Sequence, residues 1–205
     1  MIDPVFSSPI KGLVLFHGAG SDRDYTTLVA IENELPIPVA RINFPYRLKG
    51  PGRRPPDRMP KLVEAVNEAT AQWASQWSVS PQQIVVGGHS MGGRAASMAV
   101  AEGMPAGGLL WLSYPLHPQG RPESLRVDHF GSLNLPILLI QGVKDKLGSP
   151  DEFDTHLPSI PGPMSVEWLG GGHDLRRHDS QIAQRVKAWL GSWPSDPPQG
   201  VDQTG

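Results

Sequence analysis

The stretch from residue 84 to residue 101, IVVGGHSMGGRAASMAVA, limits the possible folds more than any other part of the chain. An apolar run leads into residues 87–94, which hold four glycines and a serine, and small apolar residues follow. Glycine destabilises helices and strands by about 0.5–1 kcal/mol relative to alanine. Such a cluster therefore indicates a backbone conformation or a close approach that a Cβ would prevent. A strand that turns sharply into a buried helix, with Ser90 at the turn, meets that need. A glycine-rich surface loop is the alternative.

Short apolar runs recur along the chain, with segments of helical period between them. Continuous apolar runs of this length are typical of strands that are buried on both faces of a parallel sheet. The helical period is clearest between Leu62 and Trp77, and residues 91–102 should form a buried helix. This alternation predicts an α/β fold with about six mostly parallel strands flanked by helices. The predicted strands are residues 13–16, 39–43, 83–86, 108–112, 137–140 and 165–169.

The composition argues against several classes of function. The net charge of −2 gives no general attraction to nucleic acid. No apolar run reaches the roughly 18–20 residues that span a bilayer, so no membrane association is expected. The chain has no cysteine, which excludes disulfides and a cysteine nucleophile. Since the first residues also lack a signal-peptide pattern, these features predict a cytoplasmic protein.

The chain shows no internal repeat and no linker. Residues 1–192 are therefore expected to form a single domain, followed by a flexible, proline-rich tail at residues 193–205. Two long irregular segments, residues 44–58 and 114–132, each follow a predicted strand. Long loops tend to be functional, and ligands of open α/β sheets bind beyond the carboxyl ends of the strands. We therefore expect both loops to border the same crevice.

Residues 88–92, GHSMG, fit the pattern G-x-S-x-G. In a nucleophile elbow of this kind the serine occupies a strained turn, and the glycines beside it allow the strand and the helix to approach closely. The helix N-terminus adds a positive partial charge below the serine. Glycine-rich turns also bind phosphates, but neither G-x-G-x-x-G nor G-K-[ST] is present here. The pattern therefore predicts that Ser90 is a nucleophile.

A serine hydroxyl needs a base to take its proton, and seven histidines are candidates. His173 follows the last predicted strand through the run LGGGH, shortly before the terminal helix. Its place fits the order serine, acid, histidine that accompanies G-x-S-x-G elbows, so His173 is the predicted base and His178 the alternative. The other histidines are assigned to turn-shaping positions (His17 and His89) or to solvated positions (His117, His129 and His156).

The acid of such a site should follow the strand before the one that precedes the histidine. Asp145 meets this condition, in the segment QGVKD. Its predicted task is to accept a hydrogen bond from His173 Nδ1–H and to stabilise the imidazolium. A solvated aspartate between Lys144 and Lys146 is the alternative.

An oxyanion hole needs two backbone N–H groups that point at the developing negative charge. Met91, the residue after the predicted nucleophile, can supply one of them. The turn HGAGSD follows the first predicted strand, where the second donor belongs, and this indicates Ala19 or Gly20. Two motifs far apart in the sequence thus point to the same chemistry.

Together these segments resemble the α/β-hydrolase superfamily. HGAGSD, GGHSMGGR, QGVKD and GGGHDL look most like a group of small, lidless, dienelactone-hydrolase-like proteins, over roughly residues 10–190. The resemblance implies an α/β-hydrolase fold without a cap domain. It also implies Ser90 as nucleophile, Asp145 as acid, His173 as base, and Met91 and Ala19 as oxyanion donors. Dienelactone hydrolases proper use a cysteine nucleophile, and this chain departs from them there.

The leading interpretation is a serine hydrolase that cleaves a carboxylic ester or thioester through an acyl-enzyme, with a small-molecule acyl substrate and neither cofactor nor metal. The alternative is a catalytically idle binding or scaffold protein of the same fold. A basic loop supplies candidate substrate-binding residues, Arg53 and Arg54, because arginine suits carboxylates and phosphates. These arginines can equally hold the loop in place.

Overall fold

The computed structural model describes residues 9–50 and 54–193. In these residues six strands, all parallel, form one sheet in the order β2-β1-β3-β4-β5-β6. The prediction of about six mostly parallel strands is therefore confirmed. The strands are β1 (Gly12–Phe16), β2 (Val39–Ile42), β3 (Ile84–His89), β4 (Gly108–Leu112), β5 (Ile137–Gly142) and β6 (Met164–Leu169).

Both faces of this sheet are buried, which explains the continuous apolar runs. In β4, Leu109 and Trp111 belong to the core on one face, while Leu110 and Leu112 belong to the core on the other. Successive side chains of a strand point to opposite faces, so a strand between two cores is apolar at nearly every position.

Helices cover the two faces. The described helices are α1 (Thr26–Glu34), α2 (Pro45–Leu48), α3 (Met59–Trp77), α4 (Met91–Ala101), α5 (Pro150–His156) and α6 (Asp179–Gly191). Helices α1 and α6 pack together over one face, and α3 packs beside α4 over the other. No helix among the described residues is both long and apolar enough to cross a membrane.

The strand ends differ from the predicted ones where glycine allows close contact. The sequence predicts that the third strand ends at Val86, whereas β3 runs through two glycines to His89. A Cβ on Gly88 would lie 1.9 Å from the carbonyl oxygen of Phe16, so the glycine keeps the strand close to β1. Most of the predicted tail, residues 194–205, lies outside the described residues. Its first residue, Trp193, is described, and its ring contacts that of Trp189 on α6.

The strand order places a topological switch point between β1 and β3. The chain leaves β1 for β2 on one side and later returns to β3 on the other side. At such a point the connections diverge and leave a crevice at the carboxyl ends of the two strands. The turn after β1 and the turn after β3, which carries Ser90, both lie at this crevice.

Candidate active site

Ser90 occupies a strained turn between β3 and α4. Its φ of 51° and ψ of −113° are unusual for a residue with a side chain and cost roughly 1–3 kcal/mol. The Ser90 N–H donates to the carbonyl oxygen of Leu112, 2.8 Å away, which ties the turn to β4. A Cβ on Gly92 would lie 2.3 Å from the Phe16 carbonyl oxygen, so glycine is needed for α4 to begin so close to β1.

The structure joins Ser90, His173 and Asp145 in one hydrogen-bonded chain. Ser90 Oγ lies 2.8 Å from His173 Nε2, and His173 Nδ1 lies 2.8 Å from Asp145 Oδ2. An ionised carboxylate can only accept, so Nδ1 carries the imidazole proton and Nε2 is free to accept from the serine hydroxyl. This is the arrangement that a histidine base requires. We call it the Ser90–His173–Asp145 chain.

Asp145 is held in place from several sides. Its side chain is fully buried, while 31% of the His173 side chain is exposed. Besides His173, Asp145 accepts a hydrogen bond on Oδ1 from the Leu147 N–H at 2.9 Å and one on Oδ2 from Gln141 Nε2 at 2.8 Å. A buried carboxylate is stable only with such partners. The solvated alternative for Asp145 is therefore wrong.

His89 forms part of the support behind His173. Its Nε2 lies 3.3 Å from the His173 carbonyl oxygen, and its ring stacks on Tyr25 with the centroids 4.5 Å apart. Burial, with a smaller contribution from the nearby His173, lowers the pKa of His89 to about 4. His89 is therefore neutral near pH 7 and does not oppose a positive charge on His173.

His17 shapes the turn that follows β1. Its Nδ1 lies 2.8 Å from the Gly18 carbonyl oxygen, and the Phe44 N–H donates to its Nε2 at 3.2 Å. These two contacts require a neutral ring with the proton on Nδ1. Burial lowers the pKa of His17 and favours the same form. The turn-shaping position predicted for His17 is confirmed. The same turn contains Ala19, the predicted second oxyanion donor, two residues after His17.

A cavity of about 360 Å³ opens beside Ser90, and we call it the arginine cavity. It contains both predicted oxyanion residues, Ala19 and Met91. Both long loops contribute to its wall, as expected from their positions after β2 and β4. Its lining residues are Ala19, Asp57, Met59, Leu62, Ser90, Met91, Arg94, Pro115, Pro118, Gln119, Arg126 and Leu147.

A second cavity of about 300 Å³ lies on the His173 side of the site, and we call it the histidine cavity. It is lined by Gln119, Lys144, Asp145, Lys146, Leu147, Gly172 and His173. Ser90, the predicted nucleophile, therefore borders one cavity, and His173, the predicted base, borders the other. Gln119 and Leu147 line both.

Arg54, one of the two predicted substrate-binding arginines, lines neither the arginine cavity nor the histidine cavity. Arg54 is exposed, and its Nη2 donates to the Lys49 carbonyl oxygen at 2.9 Å, a contact within its own loop. It lines a shallow cavity with Ala19 and Gly20. Arg53 lies outside the described residues. Substrate binding by Arg53 and Arg54 stays a prediction.

Three of the other histidine assignments can be examined directly. The alternative base, His178, is not part of the chain, since its Nε2 lies 2.6 Å from the Gly170 carbonyl oxygen. The solvated positions predicted for His117 and His129 are wrong. His117 is buried with its Nε2 3.1 Å from Glu152 Oε1, and His129 Nε2 lies 2.8 Å from Ser97 Oγ. Loop residues are usually exposed, but this one loop, residues 114–132, places His117 against Glu152 of α5 and His129 against Ser97 of α4.

The sequence analysis missed Gln141, Arg94 and Arg126. Gln141 is the last residue but one of β5 and is fully buried. The sequence signal for it is one polar residue directly after the apolar run ILLI. Arg94 is the one charged residue within α4, a helix of otherwise small and apolar residues. Such an isolated charge on a buried helix could have indicated a site. Arg126 had no comparable signal, since it lies in a long polar loop.

Among the residues that the structure describes, no group of three or more histidine, aspartate or glutamate side chains is placed to hold a metal ion.

Comparisons with known proteins agree with the fold. The family model described as "Alpha/beta hydrolase domain" matches residues 9–190. A monoacylglycerol lipase from Paleococcus ferrophilus is 13% identical with a TM-score of 0.70, over 88% of this chain and 94% of that one. An esterase domain from Rhodothermus marinus is 14% identical with a TM-score of 0.66, over 92% and 89%. The type II thioesterase BorB from the borrelidin biosynthetic cluster is 17% identical with a TM-score of 0.64, over 88% and 93%. At these identities the likeness to solved structures shows the fold.

Proposed function

This chain belongs to the alpha/beta hydrolase family, and we propose that it is a serine hydrolase that cleaves a carboxylic ester or thioester through an acyl-enzyme. The observation that carries the proposal is the Ser90–His173–Asp145 chain, with both links at 2.8 Å. A protein that only binds a partner through this fold has no use for a strained serine hydrogen-bonded to a histidine that a buried carboxylate orients.

In the first step, Ser90 Oγ attacks the carbonyl carbon of the substrate while His173 Nε2 takes the hydroxyl proton. The imidazolium that forms is stabilised by Asp145 through Nδ1. The carbonyl oxygen becomes an oxyanion, which the N–H groups of Met91 and Ala19 stabilise in the proposed oxyanion hole. Each donor of this kind contributes about 10²–10³-fold to the rate in other enzymes.

In the second step, the tetrahedral intermediate collapses. The bond to the leaving oxygen or sulfur breaks, His173 Nε2–H gives its proton to that atom, and the acyl group stays on Ser90. Water then attacks the acyl-enzyme with His173 again as base, and the free acid leaves as Ser90 regains its proton. The proton from Ser90 thus goes to the leaving group, and a proton from water restores the serine.

We assign the two halves of the substrate to the two cavities, and the position of His173 supports this assignment. The leaving group must receive its proton from His173, so it belongs in the histidine cavity, which His173 lines. The acyl group then occupies the arginine cavity, where Ala19 and Met91 border the carbonyl. The lipase, esterase and thioesterase among the similar structures are consistent with an acyl substrate. They do not show whether this chain cleaves an ester or a thioester.

Steady-state hydrolysis of 4-nitrophenyl butyrate and of a butyryl thioester tests the proposal. We expect wild-type turnover and a loss of activity in Ser90→Ala. Ser113→Ala is the matched control, because Ser113 also follows a strand, is buried, and has a φ of 53°. Its N–H donates to Ile140, as that of Ser90 does to Leu112. Equal activity of the wild type and Ser90→Ala would contradict the proposal and favour the binding or scaffold alternative.

A further inference from the structure

Two arginines line the arginine cavity together with the proposed nucleophile. Arg94 is on α4, one turn after Ser90, and its N–H donates to the Ser90 carbonyl oxygen at 3.1 Å. Arg126 is in the loop between β4 and β5, where its N–H donates to the Leu116 carbonyl oxygen at 2.7 Å. The two guanidinium groups thus reach one cavity from two different elements, each with an anchored backbone.

Neither guanidinium has a partner within the described part of the chain. Arg94 Nε is buried and makes no hydrogen bond, and neither side chain forms an ion pair. Other arginines here do find carboxylates: Arg41 contacts Asp24 and Glu32, and Arg47 contacts Asp22. Buried donors without acceptors are costly. Among the described residues, Arg94 keeps one buried donor without an acceptor, and Arg126 brings a second guanidinium without an ion pair to the same cavity, so the two together offer donors to an anionic ligand.

The charge of the cavity supports the same conclusion. Burial, and then the positive charge of Arg94, lower the pKa of Arg126, so the two guanidiniums are close enough to repel each other. Asp57 is the acidic residue in the described lining. Its Oδ1 already lies 3.6 Å from Lys49 Nζ and 3.8 Å from Lys61 Nζ. The cavity therefore has an excess of positive charge close to Ser90.

We propose that Arg94 and Arg126 bind a carboxylate at the far end of the acyl group, so that the enzyme prefers monoesters or monothioesters of dicarboxylic acids. The inference rests on the proposed function, because it assigns the acyl half of the substrate to the arginine cavity. A guanidinium offers a planar pair of donors that matches a carboxylate. A cavity of about 360 Å³ lies at the small end of the range for ligand sites, which favours a short acyl chain.

The test compares two esters of equal shape, 4-nitrophenyl hemiglutarate and 4-nitrophenyl 5-methylhexanoate, in which an isopropyl group replaces the distal carboxylate. Spontaneous hydrolysis of each ester is subtracted. A hydrogen bond to a charged group corresponds to about 10- to 100-fold in rate. We expect kcat/KM of the wild type to favour the hemiglutarate, and Arg94→Met and Arg126→Met each to reduce that preference about tenfold or more. The neutral ester should change little.

Two control variants separate local contact from general charge. Arg121→Met removes an exposed positive charge near Arg126 from outside the arginine cavity, and should keep the preference. Arg53→Met combined with Arg54→Met tests the basic loop as the rival carboxylate site. Arg94→Lys should restore part of the preference, since the positive charge returns without the planar fork.

A preference that persists in both Arg94→Met and Arg126→Met, or that disappears only in the Arg53 and Arg54 variant, would overturn the assignment. Turnover of the neutral ester without any preference would do the same and leave the proposed hydrolase intact. If neither ester is turned over, the proposed function fails. Calorimetric titration of glutarate then decides the subsite alone: tighter binding to the wild type than to Arg94→Met supports it, and equal binding overturns it.

Discussion

The two sides of Ser90 differ in how their polar groups are satisfied. On the histidine side, Ser90, His173 and Asp145 bond to one another, and Gln141 and Leu147 complete the shell of the carboxylate. On the other side, the guanidiniums of Arg94 and Arg126 line a cavity in which neither forms an ion pair within the described residues, and Arg94 Nε is buried without an acceptor. The Ser90–His173–Asp145 chain needs no ligand to complete its hydrogen bonds, although His89 Nδ1 and Gln141 Oε1 behind it have no partner in the part of the chain that the structure describes. In the arginine cavity, by contrast, two guanidiniums lack an ion pair with any described residue.

This difference separates two kinds of function. Groups that perform chemistry work best when their partners already hold them in the productive geometry. Groups that recognise a substrate must keep their donors free until it arrives, at some cost in stability. We therefore expect changes on the histidine side to affect every substrate equally, and changes in the arginine cavity to affect substrates according to their charge.

The largest effect is expected from breaking the hydrogen-bonded chain. His173→Ala removes the proposed base, and loss of such a base or its nucleophile in comparable sites reduces kcat by about 10⁶-fold, while loss of the acid costs about 10⁴-fold. We expect the same order here, with His173→Ala more severe than Asp145→Asn, measured with the 4-nitrophenyl esters. His178→Ala is the matched control and should retain activity. If His178→Ala is the damaging change, the base has been misassigned.

Lowering the pH should destabilise the fold through His89, which lies on the histidine side of the site. Burial lowers its pKa to about 4 in the fold, from the ordinary histidine value of 6.5. Because the unfolded chain binds this proton more readily, stability is fully present above pH 6.5 and falls as the pH drops toward 4, by about 3 kcal/mol in total. Urea unfolding between pH 7 and pH 4 measures this loss.

His89→Gln removes one titrating group, so its free energy of unfolding should depend less steeply on pH over that range. His129, whose pKa burial also lowers to about 4, should still contribute to the slope of the variant. An unchanged slope in His89→Gln would show that His89 is not a buried neutral group.

A smaller effect is expected from Gln141, which positions Asp145 and has no contact with the reacting atoms. Gln141→Met removes the 2.8 Å hydrogen bond to Asp145 Oδ2. A hydrogen bond to a charged group contributes about 1.5–3 kcal/mol, so we expect kcat to fall about tenfold with KM unchanged for both esters. Gln72→Met, at an exposed position on α3, is the control. A rise in KM for one ester alone would place Gln141 in substrate binding instead.

The smallest effect is expected from Arg54, whose contact with the Lys49 carbonyl oxygen lies within an exposed loop. We expect Arg54→Ala to leave the ratio of kcat/KM for the two glutarate-shaped esters unchanged and to change the melting temperature only slightly. Selective loss of the hemiglutarate reaction in this variant would restore the loop as the anion site.

The sequence was most informative where backbone geometry demands a particular residue. Gly88 and Gly92 have no room for a Cβ against β1. The glycines that the turn requires are therefore visible in the sequence, and they predict the turn. Asp145 and His173 could also be predicted, because parallel strands bring the loops after β5 and β6 to one edge of the sheet. Their meeting with Ser90 is a consequence of the topology.

The sequence was least informative where long loops fold back. Whether His117 and Arg126 face solvent or the protein depends on the path of residues 114–132, for which no periodicity exists. The structure buries His117 against Glu152 and directs Arg126 into the arginine cavity. Only the three-dimensional path shows that Arg126 meets Arg94, because the two residues lie on different elements.

The most direct test of the central claim is the site and rate of phosphonylation by a fluorophosphonate, followed by intact-protein and peptide mass spectrometry. A serine activated by His173 should form one adduct, located on Ser90. The adduct should be absent in Ser90→Ala, should persist in Ser113→Ala, and should form at least about 10³-fold more slowly in His173→Ala. An adduct on another residue, or equal labelling rates in the wild type and His173→Ala, would contradict the account.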